Sequence, residues 1–267
     1  MTARERVSRY SLRFIALFYL AALLLLPIGV ALVKTFDDGV GEVIDQITEP
    51  DAIHALKMSL LTVLIAVPLN TIFGIAAAHV IVRTNMRFKW LIGAIIDMPF
   101  AVSPVVIGLS LILVYGTGGW FGADLAEQGI KVIFSTPGIV MAVIFVSLPF
   151  VAREVIPVMQ EIGTDQETAA ETLGAGPWQT FRKITFPAIR WGVTYGIVLT
   201  TARALGEFGA VTVVSGNISG ETQTLPLYVS QQFEQFNSVG AYAASLVLAI
   251  LALGTLLSMN LLRRKED

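Results

Sequence analysis

The sequence predicts an all-α polytopic membrane protein, a single domain over residues 1–267 with six transmembrane helices and one polar loop on the inner face. Three observations carry this. Of 267 residues, 55% are hydrophobic and 14% charged, with mean hydropathy +0.73, whereas soluble domains average about 25% charged. Six apolar segments approach the ~20 residues that cross a bilayer core as a helix. Between them, Lys and Arg gather in alternate connections, as the positive-inside rule requires.

The first segment, about 14–33, has no charge and no evident small-residue cleavage site after it, so it reads as a retained anchor. The second covers about 58–82, with His79 near its end. The third, about 91–114, contains Asp97, Pro99, Ser103 and Pro104. It is therefore expected to kink or begin late, with Asp97 as the N-cap of its unbroken part; a proton relay through Asp97 is the sharper alternative. The fourth covers about 132–152, the fifth about 191–214 and the sixth about 239–262. His54 and His79 stand alone on apolar-flanked stretches and read as interfacial residues.

Orientation follows from the basic residues. Arg4, Arg6, Arg9 and Arg13 precede the first span, and Arg83, Arg87 and Lys89 join the second to the third. Arg153, Arg182, Lys183 and Arg190 flank the polar loop, and Arg263, Arg264 and Lys265 follow the last span. These are most of the 18 basic residues, and they place both termini and the loop in the cytoplasm. The opposite connection over 34–57 is acidic, with Asp37, Asp38, Glu42, Asp45, Glu49 and Asp51. It fits either basic residues on a partner or a solvated, topology-setting loop.

The loop over 153–190 is punctuated. Thr164 followed by Glu167 fits a capping box that opens a helix near Asp165, and Gly174 fits its left-handed end. Pro177 then suits the first turn of a second helix, whose face carries Trp178, Phe181 and Ile184, and Pro187 is expected to end it. Ala169 and Ala170 leave room for another surface to come close.

Arg203 and Glu207 stand four apart inside the fifth span, at ion-pair spacing on one helix face. Charges at membrane depth cost at least ~2.5–3.5 kcal/mol each on insertion scales. They either neutralise one another or mark a path, with Arg203 lining the route of an anion and Glu207 keeping the site from trapping it. Ala202, Gly206, Gly209 and Ala210 are small residues of the kind that admit close helix packing. The following segment over 215–238 lacks Lys and Arg. Hydroxyls on Ser215, Ser219, Thr222 and Thr224 either pass on an oxyanion or simply fold that loop.

The polar loop is where the chain becomes similar to a known family. Ala169, Ala170, Gly174, Ile184 and Pro187 stand at the spacing of the EAA loop of membrane subunits of binding-protein-dependent ABC importers. Thr168 occupies that motif's Glu position, Phe186 its Leu position, and Glu167 lies one residue early. The stretch from Arg203 to Asn217 and the TQTLPLYV that follows resemble sulfate/thiosulfate and molybdate permeases. The third-span words from Asp97 to Gly108 resemble the sulfate branch, especially its W-type subunit.

The resemblance implies the type I importer permease fold, with Glu167, Thr168, Ala169, Ala170, Gly174, Trp178 and Phe181 at the coupling contact to a cytoplasmic ATPase. It also implies a T-type permease as heterodimer partner, two cytoplasmic ATP-binding subunits and a periplasmic sulfate-binding protein. ATP and Mg belong to the ATPase, because this chain has no G-x-x-x-x-G-K-[ST] loop; the chain itself is expected to be no enzyme and to hold no cofactor. Molybdate or tungstate is the rival cargo. A proton-driven secondary anion transporter is the rival class.

Composition excludes other classes. A formal net charge of −2 gives no basic surface for nucleic acid. With no cysteine there is no disulfide, thiol nucleophile or Cys-ligated metal, and no metal site is expected.

Overall fold

A computed structural model describes residues 3–263, with side chains over 12–257; Arg264 and Lys265, counted above toward inner-face charge, lie outside the described residues. All regular structure among the described residues is helical. Four helices are long and apolar enough to cross a membrane: α1 (Leu12–Phe36), α3 (Pro50–Arg83), α7 (Thr136–Ile162) and α12, whose apolar stretch is Ser238–Leu257. Between α1 and α3 lies the short amphipathic α2 (Val40–Thr48).

Two bent helix pairs meet the same test of length and hydropathy when each pair is taken together. Helices α4 (Lys89–Ala101) and α5 (Pro104–Tyr115) meet at 110°, and the short α6 (Gly122–Glu127) follows them. After the polar-loop helix α8 (Asp165–Thr172), α9 (Pro177–Leu205) is followed at 55° by α10 (Gly209–Ser215). Counting each bent pair once gives the six crossings read from hydropathy. The helix α11 (Leu225–Glu234) lies between α10 and α12.

Burial makes α7 the central helix: 56% of its apolar stretch is buried, against 33% in α3, 22% in α12 and none in α1. Val151, Ala152, Val155 and Met159 of α7 are wholly buried. Two glycines permit that closeness. A Cβ on Gly74 of α3 would sit 2.7 Å from Val151 Cβ, and one on Gly196 of α9 would sit 2.7 Å from Val151 Cα. Membrane helices gain no hydrophobic drive against lipid, so such backbone approaches, with interhelical hydrogen bonds, hold them together. One such bond network is buried between α3 and α7, where Asn70 Nδ2 donates to Ser147 Oγ at 2.8 Å and to Ile144 O at 3.1 Å.

On the face opposite α8, the start of α3 is pinned to α11. Leu225 N–H donates to Ser59 Oγ at 2.8 Å, and Tyr228 donates its phenol to Glu49 Oε2 at 2.9 Å. Burial first, and then the Glu49 carboxylate, push the Tyr228 phenol well above its ordinary range.

The third span, read as kinked or late to begin, breaks at Val102–Ser103, and its second half starts at Pro104. Three other expectations change. Asp97 and Pro99 lie inside α4, so Asp97 is no N-cap. The fourth span starts later and runs further, because residues 132–135 form a turn in which Phe134 N–H donates to Val214 O at 2.8 Å. At its other end α7 continues to Ile162, burying Val155 and Met159 while its polar residues face out.

Finally, Pro187 does not stop a helix. The backbone widens into a π turn over Phe181–Thr185 just before it, as Ala21–Leu25 does before Pro27. A wider turn relieves the clash of a proline ring with the carbonyl four residues back, so the helix passes through. The connection between α7 and α9 is thus only residues 163–176, and its second arm is the membrane helix itself.

Candidate coupling site and anion path

The knuckle at residues 163–176 is built from local rules. Gly174 takes φ +87°. Its N–H donates to Glu171 O at 2.9 Å and the N–H of Ala175 to Ala170 O at 3.0 Å, the paired bonds of a Schellman ending. Thr168 and Ala169 are exposed and Ala170 half-buried, and Leu173, at the tip, is 89% exposed. Leu173 is a member of this surface that its bare apolar character did not single out in the sequence.

Trp178 and Phe181 stack at 5.7 Å and line a groove of about 760 Å³ whose other wall includes Ile72, Ile75, His79 and Val80 of α3. They face α3 rather than the tip.

The capping box does not form. Thr164 makes no side-chain cap bond, and Glu167 turns inward instead. Its Oε2 pairs with Arg83 Nε at 2.7 Å and its Oε1 accepts from Thr185 Oγ1 at 2.7 Å. A charge-assisted tertiary partner outcompetes a neutral local one. Arg83 itself also donates to Met159 O at 3.1 Å and Gly163 O at 2.6 Å.

The second polar feature is Arg203–Glu207, paired at 2.7 Å with the arginine side chain 34% and the glutamate 1% exposed. The pair bridges the end of α9 and the bend after it, rather than lying along one continuous helix. Glu207 Oε1 also accepts the Ala210 N–H at 2.9 Å, so the same carboxylate caps α10. Gly209 and Ala210 seat α10 on α5: a Cβ on Gly209 would lie 3.1 Å from Pro104 Cβ, and one on Gly108 would lie 2.8 Å from Ala210 O. Glu207 is therefore fixed from two sides, and Arg203 is the member with an open face.

Of the four hydroxyl residues, Ser215, Ser219 and Thr222 are engaged elsewhere, while the buried Thr224 Oγ1 makes no hydrogen bond. Ser215, Thr222 and Thr224 are buried. Ser215 Oγ accepts the Asn217 N–H at 3.0 Å, and Thr222 Oγ1 donates to Ser215 O at 2.6 Å. Ser219 donates to Asp51 Oδ2 at 2.5 Å. Of the two readings given for them, these contacts are those of loop-folding groups.

Asp97 meets a partner that sequence spacing did not reveal. Arg153 of α7 grips it with Nε at 2.6 Å from Oδ1 and with Nη2 on Oδ2. Ser103 lies at the break, exposed, as the residue before Pro104.

Residues 70–266 match the family described as binding-protein-dependent transport system inner membrane component. The sulfate transport system permease protein CysW of Synechococcus elongatus is 49% identical over 251 residues, covering 94% of this chain and 88% of the relative. CysT of Escherichia coli, also named a sulfate transport system permease protein, is 34% identical over 250 residues, covering 94% and 90%. Among solved structures, a chain of a bacterial alginate ABC transporter in complex with its alginate-bound periplasmic protein superposes with TM-score 0.83 at 17% identity, covering 98% of this chain and 96% of that one; this likeness speaks to the fold alone. By family model and relatives, the chain belongs to the binding-protein-dependent transport system inner membrane components, on their sulfate-permease, W-type branch.

Proposed function

We propose that this chain is one permease half of an ATP-driven importer of sulfate and thiosulfate in the inner membrane, with both termini and α8 on the cytoplasmic side. In this reading a T-type permease completes a heterodimeric pore, two cytoplasmic subunits bind and hydrolyse ATP with Mg, and a periplasmic sulfate-binding protein delivers the anion. The carrying observation is the knuckle, an exposed tip of Thr168, Ala169, Leu173 and Gly174 fixed by a Schellman turn at the head of an unbroken helix. At 1.5 Å per residue, α9 runs roughly 40 Å. A push on α8 when the ATPase closes therefore passes through the Schellman turn into one helix, which carries it past the π turn at Phe181–Thr185 to the bend beside Arg203.

The names of the relatives support sulfate as cargo. Arg203 supplies the positive charge on the path. Because Glu207 already neutralises it in part, a dianion is held weakly enough to leave again, which conduction requires. Rigid-body rocking of the spans about the seam between the two permeases then alternates access.

The test is the co-expressed four-subunit complex in proteoliposomes with the binding protein outside, given labelled sulfate. Uptake should need ATP, be competed by thiosulfate, ignore molybdate and survive a proton ionophore. Uptake that follows the proton gradient while ATP stays high, or high-affinity molybdate uptake with sulfate unaffected, overturns the reading.

A further inference from the structure

We propose that Arg83 is a positioning residue of the coupling machinery, clamping the end of α3 to the knuckle so that α3, α7, α8 and the head of α9 receive the ATPase stroke as one body. This rests on the coupling reading above and adds which helices the stroke reaches.

The side chain is 9% exposed and that of Glu167 15%. A basic residue serving only to set topology has no reason to be there: at a helix end it extends its charge into water, as the exposed Arg87 does nearby. Arg83 is drawn inward to three acceptors on two segments. Met159 O and Gly163 O belong to the last turn of α7 and the residue after it, where the helix leaves carbonyls without helical donors. Glu167 belongs to α8, and through Thr185 it reaches α9. Four segments thus meet at one guanidinium. Its planar fork donates to both carbonyls while standing at ion-pair distance from Glu167, a combination the point charge of a lysine does not reproduce.

Packing already joins α3, α7 and α9 through Ala78, Val151, Val155, Met159, Ile189 and Val193, but α8 contributes no buried residue to it, so what the clasp adds is the tie of α8 to that body. The 760 Å³ groove separates Ile72, Ile75 and Val80 of α3 from Glu171, Trp178 and Phe181. Beside that groove the polar clasp is the tie. The early carboxylate of the EAA-like motif is, on this view, turned to the permease interior rather than offered to the ATPase.

The chain has no cysteine, so it adds no background label of its own, and the same complex without the two substitutions reports any label on the other subunits. His79→Cys on α3 and Glu171→Cys on α8, facing one another across the groove, are spin-labelled in the full complex. The distance is measured nucleotide-free and with a non-hydrolysable ATP analogue. The clamp predicts one distance in both states. Arg83→Gln and Arg83→Lys should shift and broaden it in the nucleotide-bound state, and sulfate taken up per ATP should fall about tenfold, within the range of ordinary allosteric couplings. Glu167→Gln should act in the same direction. A distance that changes between states with Arg83 intact overturns the proposal, as does an Arg83→Gln complex with unaltered distance and uptake per ATP. Failure of the Arg83→Lys and Glu167→Gln chains to assemble would assign the clasp to folding and overturn it too. Absence of ATP-dependent uptake with Arg83 intact would defeat the coupling reading itself, while the label distances still report on the clamp.

Discussion

Gly174→Val isolates the knuckle's geometry from its packing. Gly174 sits at φ +87° with no atom within 4 Å of where a Cβ would stand, so valine meets no steric neighbour and its whole cost is backbone. A left-handed conformation costs an L-residue about 1–2 kcal/mol, and β-branching puts valine at the upper end. If the turn opens instead, the Gly174–Glu171 and Ala175–Ala170 bonds are lost, each worth about 0.5–1.5 kcal/mol net. Either route costs about 2 kcal/mol, and at 1.4 kcal/mol per tenfold the docked knuckle becomes roughly 30-fold rarer. The assay is co-purification of the ATP-binding subunits together with uptake per ATP hydrolysed. Gly129→Val is the control: Gly129 has φ +76° and equally open space, but lies between α6 and α7, away from the knuckle. Gly174→Asn should fall between, since asparagine tolerates the left-handed region. Normal coupling in Gly174→Val, or equal damage from Gly129→Val, would refute the reasoning.

Arg203→Ala leaves Glu207 with no cation in a site where its side chain is 1% exposed. Removing one partner of a buried pair costs about 3–5 kcal/mol, with the lower end apt here because Arg203 is a third exposed, so complex yield should drop. Arg203→Gln with Glu207→Gln removes both charges and should restore yield without restoring sulfate flux; normal flux in that double variant takes Arg203 off the path. Asn70→Ala deletes the bonds to Ser147 and Ile144 and should cost about 1–3 kcal/mol, seen as a lower Tm with unchanged uptake per surviving complex. The phenol of Tyr228 is raised above the ordinary tyrosine pKa of 10.0. Its contribution to stability should therefore be full below that pH and be lost as pH rises past it; thermal melts of Tyr228→Phe should lack this alkaline loss.

What the sequence revealed was whatever local chemistry or hydropathy decides. The six crossings follow from runs of apolar residues, and the Gly174 turn from the one residue type that accepts φ +87° without cost. What it hid depends on partners distant in the chain. Arg83 finds carbonyls 76 and 80 residues away, and Arg153 finds Asp97 at a separation of 56; spacing rules address only i, i+3 and i+4. Glu167 was misassigned for the same reason, since the capping box weighs Thr164 and cannot weigh Arg83. Pro187 was misread because a local rule has two outcomes, a stop or a π turn, and tertiary packing selects the second. Ser215 and Thr222 carry no sequence mark that separates a hydroxyl facing an anion from one that closes its own loop.

The most direct measurement is made at the tip of the knuckle. Leu173→Cys, the single thiol of the chain and 89% exposed at its native residue, is treated with a short cross-linker in membrane vesicles of known sidedness. The account predicts cross-linking to an ATP-binding subunit, with reagent reaching the thiol only from the cytoplasmic side. A thiol modified from the periplasmic side, or one that never captures the ATP-binding subunit in a complex that transports sulfate, contradicts it.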